Sequence, residues 1–382
     1  MTIPQGATDI TQVDQLPRVT QALSKVKEFC VDVEADAMHA FHARLCFVQI
    51  GTDDDIFLLD TLQPGVEISS QATVFADPQV TKFFHAAGGD LQYLAEAGIR
   101  VKGLFDTHRA ATLLGWAKVG LADLVQEKLQ VKLLKEHQQS DFSLRPLPPG
   151  MRDYIADDVR YLTDIGRLVR EACEKAAILE EVELDCARMA DEAARRPDLA
   201  TEFKPKIPRS GLSTAQVRLA EVVAWDLHRK RLEWAKKENI PFGRMLSNAA
   251  VAAIAANPPT ETKDLQRREG VRSAFVREHG EEVLAMIKAQ IALQREGKLP
   301  EGPVEEFRDP KRKRREDALT DFRKSRAVDR KVTASVVLPN ALIEAVARTN
   351  PKSLEELQQI PWIGEKRVRL YGADLVRLLA TV

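Results

Sequence analysis

Slid along itself by 92 residues without a gap, the chain lays MLSNAAVAAIAANPPTETKDLQ over VLPNALIEAVARTNPKSLEELQ. Leu246, Asn248, Ala249, Ala253, Ala255, Pro259, Leu265 and Gln266 meet the identical residues Leu338, Asn340, Ala341, Ala345, Ala347, Pro351, Leu357 and Gln358. The same register goes on to pair Val276, Arg277 and Gly280 with Val368, Arg369 and Gly372. A fixed period of this kind means one supersecondary unit used twice. These segments carry almost no strand signal, so the second half of the chain reads as two copies of a small all-α module.

The first 170 residues are organised differently. KVKEFCVDVEA and LCFVQIGT are β-rich runs, and IFLLDT follows after the turn formers Asp53, Asp54 and Asp55. VTKFFHAAGG comes next, then a helical pattern from Asp90 to Ala97 closed by Gly98, then the short strand VKGLFDT and helical patterns through ATLLG and LADLVQEKL. Three adjacent strands followed by alternating β and α elements predict an α/β domain with a mixed sheet. From about Asp158 the strand signal fades, and residues 160–200 read as one long charged helical stretch. The Pro-rich FKPKIPRSG then separates the halves, and GKLPEGPVEEFRDPKRKRRED interrupts the helical one. At 382 residues the chain exceeds one ordinary core. The expected domains are residues 1–200, helical modules at 209–296 and 321–382, and a basic linker at 297–320.

No apolar run is long enough to span a bilayer, so no membrane partner is expected. The N-terminus lacks the basic and apolar regions of a secretory signal. Cys30, Cys46, Cys173 and Cys186 are scattered and make no CxxC pair, which fits a reducing compartment and excludes a disulfide framework. A cytoplasmic monomer is the expectation. The net charge of −1 conceals a division. Residues 1–200 hold 21 Lys and Arg against 32 Asp and Glu, and the remainder 35 against 25. An acidic half joined to a basic half suits metal binding in one part and polyanion binding in the other.

The acids have a pattern. Asp32 and Glu34 lie two apart in a strand, so both point to one face of the sheet. Half-buried carboxylates repel each other and need compensating cations. Asp90 follows the Gly88–Gly89 turn and opens a helix; alone, it reads as an N-cap. Tyr154 and Asp158, four apart in RDYIADDVRYL, share one helix face; singly they read as a packed phenol and a solvated acid. Asp106 in FDTHRAATLL reads as a structural N-cap, and His85 as a residue bordering the site or a satisfied core histidine. Four carboxylates converging would suit two hard cations, Mg²⁺ or Mn²⁺. Two such ions about 4 Å apart serve phosphodiester cleavage, and a phenol beside them can orient the attacking water.

VDVEA, HAAGGD and YIADD resemble, in order and spacing, the three exonuclease motifs of the DEDD superfamily in its tyrosine-bearing branch. The resemblance implies an α/β exonuclease domain of ribonuclease H-like fold, a mixed sheet flanked by helices. It assigns metal ligation to Asp32, Glu34, Asp90 and Asp158, and the positioning of water to Tyr154. ARLCFVQIGT, FDTHRAATLLG and SDFSLRPL are similar to stretches that accompany these motifs in the ribonuclease D family. The repeated modules resemble HRDC domains, the second more closely, and an exonuclease domain followed by two of them is that family's layout. Two departures stand out. Ala35 replaces the Phe or Thr that often follows the catalytic Glu, and RREGV in the first module stands against IPWIG in the second.

The layout implies RNA with a free 3′ end, with transfer RNA precursors as the substrate class. Lys311, Arg312, Lys313, Arg314 and Arg315 in the linker suit phosphate attraction, as do Lys366, Arg367 and Arg369 after the IPWIG turn. His85 is the corresponding candidate beside the acids. Trp362 is expected to pack inside its module. Two other readings remain at this point. One is a DNA exonuclease of the same chemistry; the other is a non-catalytic nucleic-acid-binding protein on the same fold.

Overall fold

Asp32 and Glu34 sit on the strand that organises the nuclease-like sheet. In a computed structural model that describes residues 6–133, 137, 139–195, 203–208, 210–300 and 309–382, six strands form one sheet. They are β1 (Thr8–Ile10), β2 (Glu28–Ala35), β3 (Leu45–Gly51), β4 (Ile56–Asp60), β5 (Thr81–Phe84) and β6 (Leu104–Asp106), in the order β1-β4-β3-β2-β5-β6. The β2–β3–β4 meander is antiparallel, whereas β1 runs parallel to β4, β5 to β2 and β6 to β5. This is the mixed sheet expected. β1 was not anticipated, since three residues are too few to show a period and its pairing is supplied by the edge of β4. Phe29, Val31 and Val33 of β2 are buried, as are all five residues of β4, because helices cover the sheet.

Those helices are α1 (Leu16–Leu23), α2 (Ala72–Ala76), α3 (Asp90–Glu96), α4 (Thr107–Leu114), α5 (Leu121–Leu129), α6 (Met151–Arg160), α7 (Leu162–Lys175) and α8 (Leu179–Ala193). The single charged stretch expected over 160–200 is two helices within the described residues, broken where Ala177 takes a φ of 52°. The break lets Ile178 turn into the core, where it is buried.

The repeat is a real structural period. The first copy comprises α9 (Thr214–Glu238), α10 (Phe242–Met245), α11 (Asn248–Ala256), α12 (Thr262–Gln266) and α13 (Ser273–Arg295). The second comprises α14 (Pro310–Arg330), α15 (Ala334–Val337), α16 (Asn340–Thr349), α17 (Leu354–Gln358) and α18 (Glu365–Thr381). Both copies use the same clamp. Arg231 donates to Leu246 O at 2.7 Å and Asn248 Oδ1 at 2.5 Å; Arg323, one period on, donates to Leu338 O at 3.0 Å and Asn340 Oδ1 at 2.7 Å.

Two segments between the expected domains are structured. Residues 310–320, assigned to a basic linker, are the first half of α14, so the second module begins earlier than 321. The Pro-rich connector is not bare, since Phe203 and Ile207 are buried in the first module's core. The cuts placed at 200 and 209, and residues 301–308 of the linker, lie outside the described residues.

The chain divides into two compact units. One is Met1–Ala35, Leu45–Arg196 and Arg308–Val382; the other is Asp36–Arg44 and Pro197–Phe307. The second module thus belongs with the sheet. Val336 lies in the sheet domain's core cluster. Glu181 on α8 is buried and accepts from Arg330 at 3.0 Å and from Lys366 Nζ at 2.6 Å. Glu180 Oε1 accepts the Lys366 backbone N–H at 3.0 Å, at the start of α18. Gly364, with φ +77°, lies so close to α8 that a Cβ there would run into Leu184. Lys366 is therefore spent inside the protein. So is Arg367, which is buried and donates to the carbonyls of Val336, Trp362 and Ile363. Neither residue, expected to suit phosphate binding, is left open to a phosphate, because carboxylate and carbonyl oxygens already accept hydrogen bonds from their N–H groups.

Glu181→Ala should lower the unfolding free energy of this unit by about 3 kcal/mol, because it leaves two largely buried cations without their counter-charge. Denaturant unfolding measures this, and a loss under about 0.5 kcal/mol would show that the ion pairs carry no weight.

Candidate active site

β2 brings Asp32 and Glu34 to one side of the sheet, and a register shift between Glu34 and Ala35 bends the strand immediately beyond them. Tyr154 and Asp158 come from α6, which packs on β2, β3 and β4. Its approach depends on Gly51, where a Cβ would stand 2.7 Å from Cys30 Sγ and 3.0 Å from Val159 O. Cys30 donates its S–H to that carbonyl at 3.1 Å, fixing the helix turn that carries Asp158. Oxygens of Asp32, Glu34 and Asp158 all lie within 4.8 Å of one another.

Asp90 stands at the first position of α3, with Gly89 in the N-cap position. It lies outside the tight group of three but close enough for its charge to be felt by Glu34. Asp106 holds the segment leading to it. Its carboxylate caps α4 through Arg109 N at 2.8 Å and also accepts from Ala86 N at 3.2 Å and Ala87 N at 2.8 Å. The sequence indicated the cap but gave no sign of this tether.

Three of the acids line a cleft of about 340 Å³, whose walls are Asp32, Val33, Glu34, His85, Gly120, Leu121, Ala122, Leu133, Tyr154 and Asp158. The first turn of α5 in its wall carries no sequence motif that would have marked it. The SDFSLRPL stretch acts at one remove. Arg145 grips Asp60 of β4 with two bonds of 2.6 Å, and Phe142 stacks beside Tyr154 at 6.3 Å between ring centroids. His85 Nδ1 lies 2.8 Å from Thr107 Oγ1, whose proton goes to Phe84 O. The imidazole therefore donates from Nδ1. Burial, and then His108, lowers its pKa to about 4, so the ring is neutral near pH 7.

All four carboxyls are displaced upward. Burial raises Asp32 to about 7. Burial followed by the charges of Asp32, Asp158 and Asp90 raises Glu34 to about 10. Burial and Asp32 also hold Asp90 and Asp158 well above the ordinary range. Four such groups cannot all ionise at neutral pH without added positive charge. Among the described residues lining the cleft, the only basic side chain is the neutral His85. An all-oxygen carboxylate set fits hard divalent cations and does not fit a thiolate or imidazole metal centre.

The remaining nucleic-acid candidates lie on the second module. Lys311, Arg314 and Arg369 are exposed, whereas Arg312 pairs with Glu316 at 2.9 Å, Lys313 with Asp317 at 2.5 Å, and Arg315 donates to Ala347 O at 2.8 Å. No helix among the described residues is long and apolar enough to cross a membrane.

Known proteins share this arrangement. The 3′-5′ exonuclease family matches residues 8–186, and the HRDC domain family matches 221–287 and 312–379. A ribonuclease D of Gluconacetobacter diazotrophicus is 32% identical over 76% of this chain and 73% of its own length. Another, of Acidiphilium cryptum, is 28% identical over 91% and 86%. The crystal structure of Escherichia coli RNase D, described as an exoribonuclease involved in structured RNA processing, superposes with a TM-score of 0.68 at 21% identity over 99% of each chain. At that identity the superposition speaks for the fold.

The raised carboxyl values have a definite sign. A carboxyl whose pKa is higher folded than unfolded costs no stability below its unfolded value, costs progressively more as pH climbs from there to its folded value, and costs a constant amount above it. In chelator, Asp32→Asn should therefore stabilise the protein relative to wild type by on the order of 2 kcal/mol at about pH 8, after allowance for water in the cleft, and by little below about pH 4. Mg²⁺ should erase the difference, and its affinity should rise with pH as protons are released. A pH-independent difference in thermal midpoint between the two proteins would show the acids to be unstrained.

Proposed function

The chain belongs to the ribonuclease D family, and from that premise we propose that its cleft removes nucleotides one at a time from RNA 3′ ends with two divalent cations, Mg²⁺ or Mn²⁺, held by Asp32, Glu34, Asp90 and Asp158. The protein is a divalent-metal-dependent 3′→5′ exoribonuclease acting on nucleic acid. The observation that carries the residue assignment is the convergence of three carboxylates within 4.8 Å beside Tyr154 in one cleft. When bound, the cations supply a nucleophile at neutral pH and positive charge at the phosphate under attack.

The side chains divide the remaining work. Tyr154 has its pKa raised by burial and then by Asp158, Glu34 and Asp32. Its phenol stays protonated and orients water through hydrogen bonding without serving as the base. Phe142 stacks beside the ring, and Asp106 holds the segment before Asp90. His85, neutral and with Nδ1 committed to Thr107, offers its other nitrogen to the substrate. Transfer RNA precursors are the proposed substrate class. Exposed Lys311, Arg314 and Arg369 are the proposed phosphate-binding cations of the second module. A monomeric cytoplasmic enzyme is consistent with this role.

The deciding assay incubates equal-length RNA and DNA with the protein and Mg²⁺. Nucleoside 5′-monophosphates released singly from RNA support the proposal, whereas internal fragments or a preference for DNA would overturn it. Asp32→Asn, Glu34→Gln, Asp90→Asn and Asp158→Asn should each cost at least about 3 kcal/mol of transition-state stabilisation, about a hundredfold in rate. Tyr154→Phe should cost less and leave the half-saturating Mg²⁺ concentration unchanged.

Replacing Lys311, Arg314 and Arg369 together by Ala should weaken binding to structured RNA and flatten its salt dependence, by up to about one unit of slope for each phosphate that is no longer neutralised. An unchanged slope would place the RNA elsewhere.

A further inference from the structure

The first helical module brings together a second set of carboxylate and imidazole groups, remote in sequence from the exonuclease acids. Glu238 is the last residue of α9, and Glu278 and His279 lie on α13. A carboxylate oxygen of each glutamate and a ring nitrogen of the histidine lie within 4.8 Å of one another.

The histidine sets this group apart from an ordinary surface cluster. His279 is 9% exposed, and its Nε2 is buried without a hydrogen-bond partner. The nearest carboxylate, Glu238 Oε1, is 3.6 Å away, too far for a hydrogen bond. The ring is not free to turn elsewhere. It stacks on Trp234 at 4.3 Å with an interplanar angle of 22° and lies 5.3 Å from Phe275. Trp234 is itself held by its Nε1 donating to Glu282 at 3.1 Å. The orphaned nitrogen is thus fixed facing a carboxylate. Glu238 also lies at the negative end of the α9 dipole, which disfavours a carboxylate there, and Glu278 adds a second negative charge.

We propose that Glu238, Glu278 and His279 bind one divalent transition-metal ion of the zinc class. A single cation gives the buried nitrogen a partner, neutralises both carboxylates and fastens the end of α9 to α13. One imidazole with two carboxylates suits Zn²⁺ and its neighbours, whereas Mg²⁺ favours oxygen alone. Three protein ligands leave a position for water.

The test dialyses the full-length protein against zinc chloride in saturating Mg²⁺, so that the exonuclease acids are treated alike in every sample. Wild type should bind one more zinc ion than Glu278→Gln or Glu238→Gln, or bind it at least about tenfold more tightly. Both glutamates are exposed, so these variants should keep the wild-type circular dichroism. Cobalt(II) in place of zinc should give a visible d–d band that His279→Gln loses. Equal zinc count and affinity in wild type and in both glutamate variants would overturn the site and leave a simple His279–Glu238 ion pair.

Discussion

The repulsion between Asp32 and Glu34, two carboxylates on one face of a strand in the middle of a sheet, is the constraint around which this unit is built. Packing them against α6 and α3 adds Asp158 and Asp90, and each added acid raises the cost of ionising the others. A fold that only needed stability would place apolar side chains there. The local packing instead brings the acids closer. Gly51 lets α6 approach the sheet, and Cys30 fixes the carbonyl beside Asp158. Cations bound there would relieve the strain, so an unfavourable arrangement in the bare protein is a favourable one for binding metal.

The second module shows how one sequence unit can take on a different role in each copy. Both copies keep the arginine clamp on the turn before their third helix. Only the second carries Gly364, and the absent side chain makes room for α8. The start of α18, where N–H groups would suit a phosphate, receives the Glu180 carboxylate. Lys366 is paired with Glu181. The surface that resembles an anion site is thereby an internal joint, and the module is part of the unit that holds the acids. The first module has Arg272 in place of Gly364 and belongs to the other unit.

The sequence alone determined the strand that carries Asp32 and Glu34, the shared helix face of Tyr154 and Asp158, the mixed sheet and the repeated module. Each rests on a short-range rule. Alternation puts Asp32 and Glu34 on one face, four-residue spacing puts Tyr154 beside Asp158, and a gapless shift exposes a duplicated unit. The tertiary structure decided what depends on partners distant in the chain. It showed that Lys366 and Arg367 are engaged internally, that Asp106 tethers the segment before Asp90, that the first turn of α5 walls the cleft, and that residues 310–320 are helical. A basic residue written in a sequence carries no sign of whether its counter-charge is a phosphate or a glutamate 185 residues away. That choice is made by packing, because the electrostatic partner of a buried charge is whichever group the fold brings within a few ångströms.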